Sequence, residues 1–426
     1  MKTVIASSLL LAGASAFPFV ATADGVDSSL LHAERQRLRR QQPGQGNGGA
    51  ATCPFNANHK PAAPVTAQFP YNNAKNGKKG NEKGGFLVPD PNDKAHQFVA
   101  PDYSKDIRGP CPGLNAAANH NFLAHDGVVT YNELVDAQQN VYNVGYDLAN
   151  LLAILGLTVT DGDLVTEKLS IGCDATSRTS FNPILTGSEP GLDGHNKFEG
   201  DSSLTRNDFF TANGDNFSFN GTLFGHMTRT TGGNYDLKGL AQYRYERYQE
   251  SRAQNPNFYF GPLALLLYGA ASFLYELMPS GTRNYAPDVY TISSFFGAEQ
   301  NADGTWRFNG KERIPDNWTN RVAPYTMFNV GQQIFEMYGL HPVEFGGNTG
   351  SGSFNGGLNF ESIQNGQFKP ADPKAASCFL YMLTTERVPS YFNSVLTPTV
   401  ESLSFAASKL SGTDFANLGC PRPLTK

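Results

Sequence analysis

Charge is scarce in this chain of 426 residues: only 17% are Asp, Glu, Lys or Arg, and the formal net charge is −5. So mild an imbalance leaves no electrostatic footprint for nucleic acid or an anionic membrane, and neither is expected as a partner. The scarcity does not imply disorder. Aromatic residues make up 12%, with 30 Phe, enough apolar material to bury a large core. Beyond the N-terminus no apolar run is long enough for a membrane helix. Strand-like alternation is rare, and no internal repeat is visible. Cysteine is sparse and odd in number, at Cys53, Cys111, Cys173, Cys378 and Cys420.

The chain starts "MKTVIASSLLLAGASAF". Lys2, a short apolar run and the small residues Ala14-Ser15-Ala16 form a secretory signal peptide over 1–16. Arg39-Arg40 reads as a dibasic processing site closing a propeptide over 17–40, or as a basic loop that is never cut. The expected location is extracellular. There the sequons at Asn216, Asn220 and Asn317 become candidate glycosylation sites on the surface. In an oxidising compartment an odd cysteine count leaves one thiol for another chain or for chemistry.

Residues 41–105 are rich in Gly, Asn, Lys and Pro and read as an extended arm or linker. From residue 106 to 426 the texture is helical, giving a mainly α fold: one large domain with long loops. "GLNAAANHNFL" has helical propensity. "TYNELVDAQQNVYNVGYDLANLLAILGL" carries Thr130 as a cap and apolar residues at helical spacing. Further helices are expected in "GNYDLKGLAQYRYERYQESRAQNP", "PLALLLYGAASFLYELM", "APYTMFNVGQQIFEMYGL", "AASCFLYMLTTERV" and "SVLTPTVESLSFAASKL".

Cys111 stands between two prolines at the start of the first of these helices, in "DIRGPCPGLNAAANHNFL". Unpaired N–H groups and the helix dipole would stabilise a thiolate there and lower its pKa. Pro112 suits the first helical position. A fixed thiolate suits a soft metal centre, and on haem iron it favours O–O cleavage. Taken alone, the residues leave a disulfide open as well.

This segment resembles the proximal motif of the fungal haem-thiolate peroxidases, the chloroperoxidase and unspecific peroxygenase family, and is most similar to the long-chain peroxygenases. "GLDGHNKFEGDSSLTRNDFF" resembles the same family's Glu-Gly-Asp segment at a similar spacing. The resemblance implies haem b with Cys111 as axial ligand. It also implies a divalent cation, Mg²⁺ or Mn²⁺, held beside a haem propionate by Glu199, the Gly200 carbonyl and Ser203. Oxygen donors suit such a hard ion. In that group a C-terminal disulfide joins the positions of Cys378 and Cys420. This leaves Cys53 and Cys173 for a second bridge, tying the arm to the domain. Phe198 and Phe273 match aromatic positions beside the family's substrate channel, which implies an apolar or aromatic organic substrate oxidised with peroxide.

The distal residues depart from the pattern. The family moves the peroxide proton with a Glu, oriented by an Arg seven residues earlier, about two helical turns away. Here the Glu position falls on Ala270 or Ala271, and the Arg position on Leu263 or Ala264, depending on register. Glu276 is the nearest acid but lies about 120° round the helix from Ala270. His195, four residues before Glu199, is the other candidate. The reading is therefore a secreted peroxidase or peroxygenase-like enzyme lacking the usual acid–base pair. The alternative is a haem-thiolate enzyme of secondary metabolism with other chemistry, or a haem protein with little turnover.

Overall fold

The helices form where caps and apolar spacing coincide. The computed structural model describes residues 53–54, 56–160, 162–173, 191–196, 198, 200–212, 214–348, 350, 354–357, 362–385, 405–406, 408–410 and 413. The signal peptide, the propeptide, Glu199 and Cys420 lie outside the described residues.

Helix α1 (Pro112–Asn119) starts on Cys111 and Pro112. Strand β1 (Val128–Thr130) pairs antiparallel with β2 (Lys168–Ser170). It leads into α2 (Tyr131–Tyr142) through a capping box of Thr130 and Glu133. The sequence pattern suggests one helix through this region, but there are two. Asn143 adopts φ 51° and ends α2, and α3 (Tyr146–Val159) begins three residues later. Asn is among the few non-glycine residues that tolerate this left-handed turn. Its side chain holds the corner by bonding the Asn72 amide and the Arg321 and Val322 carbonyls.

Helix α4 (Gly221–Thr230) is capped by Asn220 and has no strong periodic signal in the sequence. Helix α5 (Leu237–Gln254) is capped by Asp236 and stops before Pro256, as the sequence implies. A 3₁₀ turn at Pro262–Leu265 opens into α6 (Leu266–Glu276). Helix α7 (Val289–Phe296), also unanticipated, is capped by Asp288. Helix α8 (Met327–Leu340) packs against α5, α6 and α9 (Pro373–Thr385). The α8–α9 approach requires glycine: a Cβ on Gly331 would meet Ser377 Oγ at 2.0 Å. Strands are short, and the largest sheet among the described residues is three-stranded, β3 (Tyr259–Phe260), β4 (Gly346–Asn348) and β5 (Phe354–Asn355), with β4 in the middle. No helix among the described residues is long and apolar enough to cross a membrane.

The core runs from α3 (Leu148, Leu151, Ile154, Leu155) to the aromatic cluster of Phe258, Phe260 and Phe345. Each such side chain contributes roughly 1.5–3 kcal/mol by leaving water. The arm is more than a linker. Polar side chains of α2 bind its backbone: Asp136 accepts the Gly77 N–H, Gln139 that of Gly80, and Asn140 that of Ala74. Val88 is fully buried, and its N–H donates to the Trp318 carbonyl. A disulfide between Cys53 and Cys173 fastens the start of the arm.

Candidate active site

Cys111 caps α1 with extended backbone, φ −91° and ψ 105°, and its carbonyl accepts the Asn115 amide at 3.0 Å. Its sulfur makes no side-chain capping bond, but the Gly113 and Leu114 N–H dipoles lie near enough to pull its pKa down. Cys53, Cys173 and Cys378 are disulfide-bonded, whereas Cys111 is free. Cys111 and the first-turn residues Pro112, Gly113 and Leu114 are half-buried, while Asn115–Asn119 are fully buried. The residue thus keeps some exposed surface within otherwise packed surroundings.

The helix start does not by itself lower the thiol pKa, contrary to the sequence expectation. Burial pushes it up, and the two N–H groups only oppose this; Glu312 adds to the rise and Arg206 subtracts from it. Desolvation of sulfur outweighs the dipoles. A metal cation on the sulfur would reverse the balance, because a coordinating thiol gives up its proton. A free cysteine at a helix start, facing the N–H end of the helix and not fully buried, fits a haem-iron ligand.

A polar network surrounds this turn. Arg206 is almost fully buried, and its Nε donates to the Pro110 carbonyl at 3.2 Å. Its Nη2 lies 3.6 Å from Glu312 Oε1. Glu312 is buried and accepts Asn115 Nδ2 at 2.8 Å. Burial pushes its carboxyl up to about 7, against the pull of Arg206 and Asn115. Asn119 donates to the Glu312 carbonyl and accepts two bonds from the Arg108 guanidinium, at 3.0 and 2.7 Å. The Tyr142 hydroxyl donates to the Gly113 carbonyl at 2.7 Å. Sequence reading missed Arg108, Tyr142, Arg206 and Glu312. Arg108 and Arg206 carried a signal, through their places in the "DIRGPCPG" and "EGDSSLTR" motifs.

The loop after Glu199 is clamped by α5. Arg244 donates to the Ser202 carbonyl, Arg247 Nε to the Ser203 carbonyl at 2.9 Å and Tyr243 to the Leu204 carbonyl at 2.8 Å. Asp208 is buried and accepts from the Ser202 N–H, Ser251, Arg247 and Asn255. Burial, and then Asp201, raise its pKa. Gly200 and Ser203 are buried within this frame. Among the described residues no group of three His, Cys, Asp or Glu could hold a metal, but Glu199 is not one of them.

Against this loop lies α6: a Cβ on Gly200 would be 3.8 Å from Leu267 Cδ1. Leu263 is half-buried and Ala270 exposed, whereas Ala271 is fully buried. Gly269 faces Val330 and Ile334 of α8. Exposure therefore sets Ala270 apart from Ala271, whereas Leu263 and Ala264 are both half-buried. Glu276 is turned to other partners, Arg321 and Gln333, with Tyr325 bonded in turn to Gln333 and Ser272. His195 is committed to Asp201, Nε2 to Oδ1 at 3.0 Å, with its ring stacked on Phe209. Phe198 and Phe273 are half-buried at the edge of the core, Phe273 edge-on to Tyr325.

The three sequons differ in exposure. Asn216 is 1% exposed, which argues against a glycan there in the folded chain. Asn220 is half-buried and spends its side chain capping α4 and bonding Asn207. Asn317 is exposed.

A family model described as "Peroxidase, family 2" matches residues 96–323. An aromatic peroxidase, fscJ, of Fusarium equiseti is 29% identical over 346 residues, covering 76% of this chain and 78% of that protein. An aromatic peroxygenase of Coprinellus radians is 35% identical over 241 residues, 52% of this chain and 90% of that protein. Another, of Cyclocybe aegerita, is 35% identical over 265 residues, 61% of this chain and 66% of that protein.

Proposed function

The chain belongs to peroxidase family 2, the family of chloroperoxidase and the aromatic peroxygenases, and from that premise we propose a secreted haem-thiolate enzyme with Cys111 as the axial ligand. It is a peroxidase-class oxidoreductase. The observation that carries the proposal is the free, half-buried Cys111, which caps the start of α1 between Pro110 and Pro112. Haem b, when bound, supplies iron able to react with peroxide. Glu199, the Gly200 carbonyl and Ser203 would hold Mg²⁺ or Mn²⁺ beside it, on a loop that Arg244 and Arg247 keep in place.

The substrate is an apolar or aromatic small molecule. Phe198 and Phe273 support this, as do relatives named aromatic peroxidase and aromatic peroxygenase. Among the described residues the expected positions of the acid–base pair, Ala270 or Ala271 and Leu263 or Ala264, offer no carboxylate to carry the peroxide proton, and Glu276 and His195 are paired elsewhere. Positioned acid–base catalysis is worth roughly a hundred- to ten-thousand-fold, so peroxide activation should be slow beside that of enzymes with the pair. The same observation favours a second reading, a haem-thiolate protein with other chemistry or little turnover.

The ferrous–CO spectrum of the secreted protein tests the first claim. Wild type should show the red-shifted band of a thiolate ligand, and Cys111→Ala should lose it. A variant that keeps the band would overturn the assignment. Rapid mixing with peroxide separates the two readings. Slow oxygen transfer to an aromatic probe supports the first, and an unchanged ferric spectrum supports the second.

A further inference from the structure

Arg206 and Glu312 form a buried ion pair beside the turn that presents Cys111. Their side chains are 2% and 4% exposed, and Nη2 and Oε1 are 3.6 Å apart. Arg206 Nε grips the carbonyl of Pro110, the residue before Cys111, at 3.2 Å. Glu312 Oε2 grips Asn115 Nδ2 at 2.8 Å. Asn115 in turn spans the turn from within, donating to the Gly109 carbonyl at 2.8 Å and accepting the Gly109 N–H at 3.1 Å. Two opposite charges thus brace the two sides of the Cys111 turn.

A neutral staple would hold the same backbone groups at less cost, since buried ion pairs seldom repay their desolvation. The guanidinium also keeps a buried Nη1 with no partner among the described residues. Leaving such a buried donor unfilled is unfavourable. Charges retained at this cost next to a sulfur ligand have an electrostatic use.

We infer that Arg206 and Glu312 are positioning residues that set the electron-donor strength of the Cys111 thiolate from opposite directions. The inference rests on the reading of Cys111 as the axial ligand. A negative Glu312 makes the sulfur a stronger donor and favours ferric iron. A positive Arg206 withdraws density and favours ferrous iron. Coulomb energies between partly screened charges at such range are worth on the order of tenfold in an equilibrium constant.

The test is the ferric–ferrous midpoint potential of the haem-loaded protein, measured above neutral pH, where Glu312 carries its charge. Glu312→Gln keeps an acceptor for Asn115 and should raise the potential, moving the ferric–ferrous equilibrium about tenfold toward ferrous. Arg206→Gln should lower it, and Arg206→Lys, which keeps the charge, should restore it toward wild type. The ferrous–CO band is recorded on every sample. If wild type shows the thiolate band and the potentials of Glu312→Gln and Arg206→Gln move together or not at all, the inference is wrong and the ligand assignment stands. If wild type shows no thiolate band, the ligand assignment itself is wrong. Should Arg206→Gln fail to bind haem, Glu312→Gln decides alone: an unchanged or lowered potential overturns the inference.

Discussion

Ala270 and Ala271 are neighbours with opposite fates, and the difference makes the missing acid testable. Ala270 is exposed, so a carboxylate there stays solvated or faces the open side of α6. Ala271 is 0% exposed, and a carboxylate there would be buried without a partner. Ala270→Glu should fold within about 0.5 kcal/mol of wild type, whereas Ala271→Glu should lose about 3 kcal/mol or more. Chemical denaturation measures both. Ala270→Glu should also speed the reaction with peroxide, by roughly ten- to ten-thousand-fold, most of all combined with Leu263→Arg. Stopped-flow mixing checks this, and a wild type already as fast as family enzymes bearing the pair would contradict the premise. Glu276→Gln and His195→Ala would then identify the substitute group.

At the scale of elements, α2 acts as a receptor for the arm, and Asp136 makes that docking pH-dependent. Burial pushes its carboxyl from 3.8 to about 6; the Gly77 and Asn76 amides pull it down and Glu133 pushes it further up. The folded pKa lies above the unfolded one, so the folded state binds the proton more tightly. Stability from this group is therefore fully present below the unfolded pKa and is lost as pH rises from about 4 to about 6. Asp136→Asn, which keeps an acceptor for the Gly77 N–H, should flatten that slope. Hydrogen exchange of the Gly77 amide across this range is the measurement, and an equal slope in the variant would refute it. The α2–α3 corner depends on Asn143 in the same local way. Asn143→Ala forfeits three side-chain bonds and a residue suited to positive φ, at a cost of about 2–4 kcal/mol.

For the molecule as a whole, the Cys53–Cys173 disulfide links residues 120 apart in sequence. Converting both cysteines to Ala should cost about 2–5 kcal/mol and loosen the arm, seen as faster trypsin cleavage at its exposed Lys75 and Lys78. Cys378 is also in disulfide linkage, and its expected partner Cys420 lies outside the described residues. Non-reducing peptide mapping should recover the two joined, and a free thiol at Cys378 would rule the pair out. Glycan mapping should find Asn317 modified and Asn216 bare, following their exposure.

The sequence by itself determined what local rules control. A proline at the first helical position placed α1, the Thr130 cap placed α2, and Pro256 ended α5. These features depend on residues within a turn or two of each other, and the Cys111 motif is as short. Tertiary structure decided the rest because burial and pairing join distant residues. Asn115 meets Glu312 across 197 positions, and nothing in "NGKERIPD" marks that glutamate as buried. That Ala270 is exposed and Ala271 buried came from the packing of α6, and the split at Asn143 from bonds to Asn72, Arg321 and Val322. Burial alone removed Asn216 from the surface that its sequon suggests. The thiol pKa shows the same division: the helix start is written in the sequence, but the desolvation that outweighs it exists only once the chain has closed around Cys111.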